Sequence, residues 1–345
     1  SRLVIGGNTS FQLQVNRRLS FTAGLDLRQD TPRNAELSRV AANGLFRPIT
    51  RNNFTITDVG PYFSVDGSLS HLFSYSVGAR RDQVSFNNTD LLFPASSYQA
   101  GSGRTSPRAA LYFHAPEKSP VPAVAFSCGE AFHTNDPRIG LGMNRGTPIA
   151  TSRAYQLVVS EAIAGTQFRL ALARISNSQE LAKIDPDTGL QQDLGLSLIR
   201  SLSVSAHRHF SFGSLQVTFA RAQATDLLTG QDVPEAPRLI WDVSAASVRL
   251  PQQLRASAGL EYVGSRPLGD GFRGGPVREF HGSLIRPFHS GAFDVGLQFS
   301  LASGYTGQTL ETLELSGEPA AFERIVGVRK TSYAGITLSY HLRRR

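Results

Sequence analysis

Apolar and polar residues alternate with a period of two along most of this chain. Phe11, Leu13 and Val15 alternate with Gln12, Gln14 and Asn16; Leu19, Phe21, Ala23, Leu25 and Leu27 alternate with Ser20, Thr22, Gly24, Asp26 and Arg28. Near the end, Leu215, Val217 and Phe219 alternate with Gln216 and Thr218. Phe293 to Leu301 and Ile336 to Tyr340 repeat the pattern. Successive side chains of an extended strand point to opposite faces, so each run predicts a strand with one apolar and one polar face. About 15 strands are predicted in this way.

The connections carry a second pattern. Short turns are expected at Asn16–Arg18, Ser68–His71, Pro116–Pro120, Ala164–Thr166, His207–His209, Leu250–Gln252 and Phe288–Gly291. Between them lie long polar segments at Gln29–Arg51, Ser85–Gly103, Asn135–Ile149, Thr225–Pro237, Ser265–Pro276 and Ser303–Lys330, with Asp185–Gly189 as one short member of that set. Alternating short and long connections place every other strand end on the same side, which is the property of an up-and-down meander. Outer-membrane barrels join their strands in this manner, with short inner turns and long outer loops. An odd number of antiparallel strands leaves the first and last parallel, so the expectation is that the chain begins inside a larger barrel.

Charge then distinguishes the two faces. Arginine on the lipid side of a barrel costs about 2–4 kcal/mol at the midplane and roughly 0–1 near an interface. Arg169 lies opposite Phe168, Leu170 and Leu172, which makes the apolar set the outer face. Arg174 shares the apolar parity but is expected close to the outer interface, where its stem can snorkel. Arg200 shares parity with Leu194, Leu196, Leu198, Leu202 and Val204, reads as mid-strand, and calls for a β-bulge at Arg200 and Ser201 to turn it inward. Tyr62, Phe63, Phe73, Tyr75, Phe132, Tyr155, Phe210, Phe212, Trp241, Tyr262, Phe288 and Phe293 are expected as interfacial aromatics.

Composition narrows the function classes. The net charge of +8 comes almost wholly from arginine, because Lys118, Lys183 and Lys330 are the only lysines. The arginines are scattered without a basic helix or clustered patch, which argues against nucleic acid. No apolar run reaches the length of a membrane-spanning helix. The single cysteine, Cys128, allows no internal disulfide and reads as a small apolar filler. His207 and His209 have no carboxylate or thiol beside them and read as a solvated turn rather than a metal site. Asp185–Gly189 lacks the later ligands of a calcium loop and is explained as a turn. Gly269–Pro276 is not a phosphate cradle, and no nucleophile with a paired acid and base can be picked out. The reading is a non-enzyme with no cofactor and no metal.

Four stretches resemble the barrels of TonB-dependent outer-membrane receptors. They are Asp58–Tyr62 with Val77–Asp82, the hairpin from Ser106 to Arg138, Val233–Arg238, and Ser316–Ala321 followed by Ser332–Leu342. The resemblance implies a 22-stranded barrel plugged by an N-terminal domain, with import energised by the TonB complex acting on the plug. Residues 1–345 then form a single transmembrane β-barrel region, an all-β antiparallel up-and-down barrel, with the plug and about seven strands expected upstream. The ending Tyr340-His-Leu-Arg-Arg-Arg345 departs from the terminal aromatic residue usual in the family. A scarce, bulky small-molecule ligand such as a metal chelate is expected on the long loops, at Arg47, Arg51, Asn135, Asp136, Arg138 and Arg145. Outer-membrane lipid and lipopolysaccharide are the other expected partners, since basic loops suit anionic groups of either kind. A passive porin and a secreted soluble β-protein for adhesion or carbohydrate binding are the alternatives.

Overall fold

The computed structural model describes residues 1–40, 44–116, 121–134, 149–178, 181–184, 191–193, 195–234, 236–247, 250–269, 271–288, 293–314 and 321–340. Among these residues the strands begin with Arg2–Asn16 (β1), Leu19–Pro32 (β2), Ala35–Val40 (β3), Phe46–Ser68 (β4), Phe73–Asp90 (β5), Tyr98–Phe113 (β6) and Ala123–Thr134 (β7). They continue with Ile149–Ile163 (β8), Thr166–Asn177 (β9), Leu181–Ile184 (β10), Gln191–Asp193 (β11), Ser197–Phe210 (β12), Gly213–Asp226 (β13), Leu239–Ser247 (β14) and Arg255–Val263 (β15). The last are Arg266–Gly269 (β16), Phe272–Gly274 (β17), Val277–Phe288 (β18), Phe293–Ser303 (β19), Tyr305–Glu314 (β20), Ala321–Arg329 (β21) and Tyr333–Tyr340 (β22).

One sheet of 16 strands holds the molecule together. It runs β1-β2-β4-β5-β6-β7-β8-β9-β12-β13-β14-β15-β18-β19-β22, with β3 added on β4, and every pairing on the path is antiparallel. The sheet is open: β1 and β22 each have one neighbour on this path. The small sheets β10-β11, β16-β17 and β20-β21 each lie within a long connection. Short and long connections alternate except at Ser85–Gly103, expected as a long segment, most of which is strand: β5 continues to Asp90 and β6 begins at Tyr98, paired with each other, so only 91–97 connect them. The sheet has a turn end and a loop end.

Local chemistry explains the tight turns. Between β8 and β9, Ala164 and Gly165 both take positive φ, 49° and 77°, the handedness that two-residue hairpins require and that glycine accepts without strain. Three sequence expectations are corrected. The turn expected at His207–His209 falls between Phe210 and Gly213, and both histidines lie on β12 with their rings 4.3 Å apart. The connection expected to be short at Asp185–Gly189 runs from Asn177 to Ser197 and contains β10 and β11; residues 185–190 lie outside the described residues. Arg200 needs no bulge, because β12 keeps one register against both β9 and β13. The strand begins at Ser197, so Leu194 and Leu196 precede it and Arg200 sits near the loop end, opposite Arg174.

Most apolar side chains on one face have no protein covering them. Phe63, Val77, Leu111, Phe126, Leu172 and Phe219 are all exposed and share that face through the register. A soluble sandwich would bury such a face under a second sheet. On β12 the apolar stretch lies between Arg200 and Arg208, and on β18 between Arg278 and Arg286. Each spans roughly nine residues, close to the 9–11 that a tilted strand needs to cross a bilayer. At the turn end Arg208 and Arg286 lie over Phe210 and Phe288, 5.0 and 4.9 Å from the ring centres, and toward the loop end Trp241 stacks on Tyr262. Tyr62 and Phe132 depart from the expected aromatic set, because Phe132 packs in the interior cluster described next and Tyr62 lines an interior cavity.

The sheet doubles over itself at one place. β6 pairs with β7 only over Arg108–Phe113, yet continues against β5 to Tyr98, while β7 continues against β8 to Thr134. Beyond Arg108 the two strands part. Ile149 and Phe132 then pack on Val84, Phe86, Ile56 and Ala100 in a buried apolar cluster.

Candidate functional site

Below that cluster lies a cavity of about 460 Å³, lined by Asp26, Asp58, Tyr62, Arg80, Asp82, Ser106, Arg108, Glu130 and Phe132 among others. Alternation places Asp58, Gly60 and Tyr62 of β4 on one face, with Asp26 of β2 opposite Gly60 and Arg80 of β5 opposite Tyr62. This is the polar face, opposite Phe63 and Val77.

Arg80 is the centre of the cavity wall. Its guanidinium bonds Asp82 through Nε at 2.5 Å, pairs with Asp26 on β2, and lies 3.8 Å from Asp58. Asp82 is fully buried. Gly60 makes room for this arrangement: a Cβ there would sit 2.3 Å from Arg80 Nη2 and 2.6 Å from Asp82 Oδ1. Gly24 similarly accommodates the Tyr62 ring, whose Cζ would be 2.4 Å from an added Cβ. A second set follows along the wall, where Glu130 accepts from Arg104 Nη2 at 2.7 Å and Arg153 Nε at 2.9 Å. Two carboxylate oxygens of the first set, Asp58 Oδ1 and Asp82 Oδ2, are buried without a hydrogen-bond donor among the described residues. The wall therefore retains acceptor capacity. It offers no nucleophile beside a base, and among the described residues no group of three or more His, Cys, Asp or Glu side chains is placed to hold a metal.

The expected ligand residues are distributed differently. Arg51 is on β4 and lies 3.7 Å from Glu36 of β3. Arg47 is on the same strand, beyond a register shift between Leu37 and Ser38. Asn135, Asp136, Arg138 and Arg145 lie outside the described residues. The cavity residues received no functional role from sequence, although Asp58, Tyr62, Arg80, Asp82, Ser106, Arg108 and Glu130 all fall in the stretches that carry the family resemblance. The usable signal was parity: Asp58, Arg80 and Asp82 are charged residues on strands whose other face is apolar.

At the end of β13, Asp226 holds the turn that follows by accepting from Leu228 N–H and Thr229 Oγ, both at 2.8 Å. The Leu228 bond, helped by Thr229, lowers the Asp226 pKa from its ordinary value. A carboxyl lowered on folding stabilises the turn above its unfolded pKa, and that contribution is lost as pH falls through the folded value. The Leu228 amide should accordingly keep its exchange protection down to about pH 4; loss of protection already at pH 6 would contradict this role.

No protein-family model matches the chain, and no curated protein sequence does. Solved structures do. The ferric yersiniabactin uptake receptor FyuA from Yersinia pestis superposes with a TM-score of 0.69 at 13% identity, over 98% of this chain and 55% of its own. The siderophore receptor PiuA from Acinetobacter baumannii gives 0.65 at 12% identity, over 97% and 56%. The alcaligin outer-membrane receptor FauA from Bordetella pertussis gives 0.60 at 14% identity, over 87% and 51%. The chain spans about half the length of each. Its open meander, with a polar wall on one face and an uncovered apolar band on the other, has the fold of the β-barrel of TonB-dependent outer-membrane receptors.

Proposed function

We propose that this chain is the C-terminal barrel portion of an outer-membrane receptor that imports a scarce, bulky ligand such as a metal chelate, energised through the TonB complex. The observation that carries the reading is the uncovered apolar band bounded by arginines, on a sheet that superposes on uptake receptors over nearly its whole length. A lipid-facing band requires the opposite face to line the lumen. That face carries the Arg80 ion-pair set, and the buried acceptors on Asp58 and Asp82 suit donors from a plug domain. Arg47, Arg51, Asn135, Asp136, Arg138 and Arg145 are the proposed ligand contacts, suited to an anionic chelate.

Heat-modifiable mobility of the gene product in outer-membrane extracts, followed by ligand uptake with and without an uncoupler, tests the reading. A heat-shifted membrane band with uncoupler-sensitive uptake is expected. A soluble product would overturn the membrane assignment, and uptake indifferent to the uncoupler would leave a passive porin.

A further inference from the structure

Three arginines stand together on the apolar face at the loop end. Arg174 of β9 lies directly opposite Arg200 of β12, and Arg200 lies opposite Gln223 of β13, two residues from Arg221. All three have the parity of Leu172, Leu202 and Phe219, and all three are exposed. Directly opposed residues have Cβ atoms about 5 Å apart, and diagonal neighbours about 7–8 Å, so the three guanidinium groups can converge on one anion.

Among the described residues no carboxylate is paired with them. β9, β12 and β13 together contain one carboxylate, Asp226, which lies at the end of β13 on the opposite parity and binds Leu228 and Thr229. Arg153 of β8 shares the outer parity but is paired with Glu130. Like charges directly opposite on a sheet are destabilising. With no partner among the described residues, the Arg174–Arg200 pair on a lipid-facing surface calls for an external anion at the depth of the head groups.

We infer that Arg174, Arg200 and Arg221 form a binding site for the phosphate groups of an outer-leaflet lipid, lipopolysaccharide, on the outer wall of the barrel. Arginine is suited to this because its planar fork binds phosphate oxygens in pairs. Tyr155, directly opposite Arg174, extends the row on β8 with an amphipathic ring of the kind that settles at head-group depth. The position follows from the loop end facing outward, so this inference rests on the outer-membrane reading above.

The test is titration of the detergent-solubilised receptor with bisphosphorylated lipid A, its dephosphorylated form and inorganic phosphate. Wild type should prefer the bisphosphorylated lipid, and Arg174→Ala/Arg200→Ala should weaken that binding at least about tenfold while leaving the dephosphorylated form unaffected. Arg174→Lys/Arg200→Lys, which keeps the charge without the fork, should fall between them and guards against a folding defect in the alanine variant. Equal binding of both lipid forms by wild type, or unchanged binding by the alanine variant, would overturn the site. Tight binding of inorganic phosphate with no lipid preference would also overturn it. A heat-modifiable, membrane-inserted receptor with either result would remove this inference alone, whereas a product that never reaches the membrane would remove the transport reading with it.

Discussion

Replacing Arg80 by alanine is expected to destabilise the folded barrel by about 3 kcal/mol, more than any other single change on the cavity wall. Breaking a buried ion pair by deleting one partner typically costs 3–5 kcal/mol, because the other charge is left without compensation. Here the stranded charge is Asp82, whose side chain is 1% exposed, while Arg80 itself remains 34% exposed, which places the effect at the low end. Asp26 and Asp58 face the same guanidinium and would also lose it. Gly60→Ala should act in the same direction by driving the Arg80 guanidinium off its site. Adding Asp82→Asn to Arg80→Ala should recover part of the loss, since a neutral amide is less costly to bury unpaired. The measurement is the urea midpoint of the refolded barrel in lipid vesicles. An Arg80→Ala midpoint equal to wild type would show that water already screens the wall.

Arginine at Leu170 should destabilise membrane insertion by about 2–4 kcal/mol, whereas arginine at the adjacent Ala171 should change it by less than about 1 kcal/mol. Leu170 lies midway between the ends of the apolar band on β9, with Val159 and Val204 opposite it. Ala171 points to the other face, beside Val158 and Ser203, where the same parity carries Arg169. The two substitutions are neighbours in sequence and add the same side chain, so strand propensity and overall charge cancel in the comparison. Equal effects at the two positions would mean that neither face meets lipid, and would return the soluble β-protein as the better reading.

The alternation of Phe21, Leu25 and Leu27 with Thr22, Gly24 and Asp26 determines a strand and its two faces without reference to any other part of the chain. Period-two geometry is a property of each extended segment. The rhythm of short and long connections likewise follows from local turn chemistry, as at Ala164-Gly165, and it is enough to specify an up-and-down meander. Register is different. Whether Arg200 lies in mid-strand or at an interface depends on where β12 begins, and that is decided by its pairing with β9 and β13 rather than by its own residues. The same is true of the cavity. Asp26, Asp58 and Arg80 are far apart in sequence and become neighbours only because β2, β4 and β5 hydrogen-bond in succession, and Glu130 reaches Arg104 only because β6 and β7 part beyond Arg108. Local sequence determined the strands and their faces; the charged groups that meet across them were decided by non-local pairing, which no window of a single strand contains.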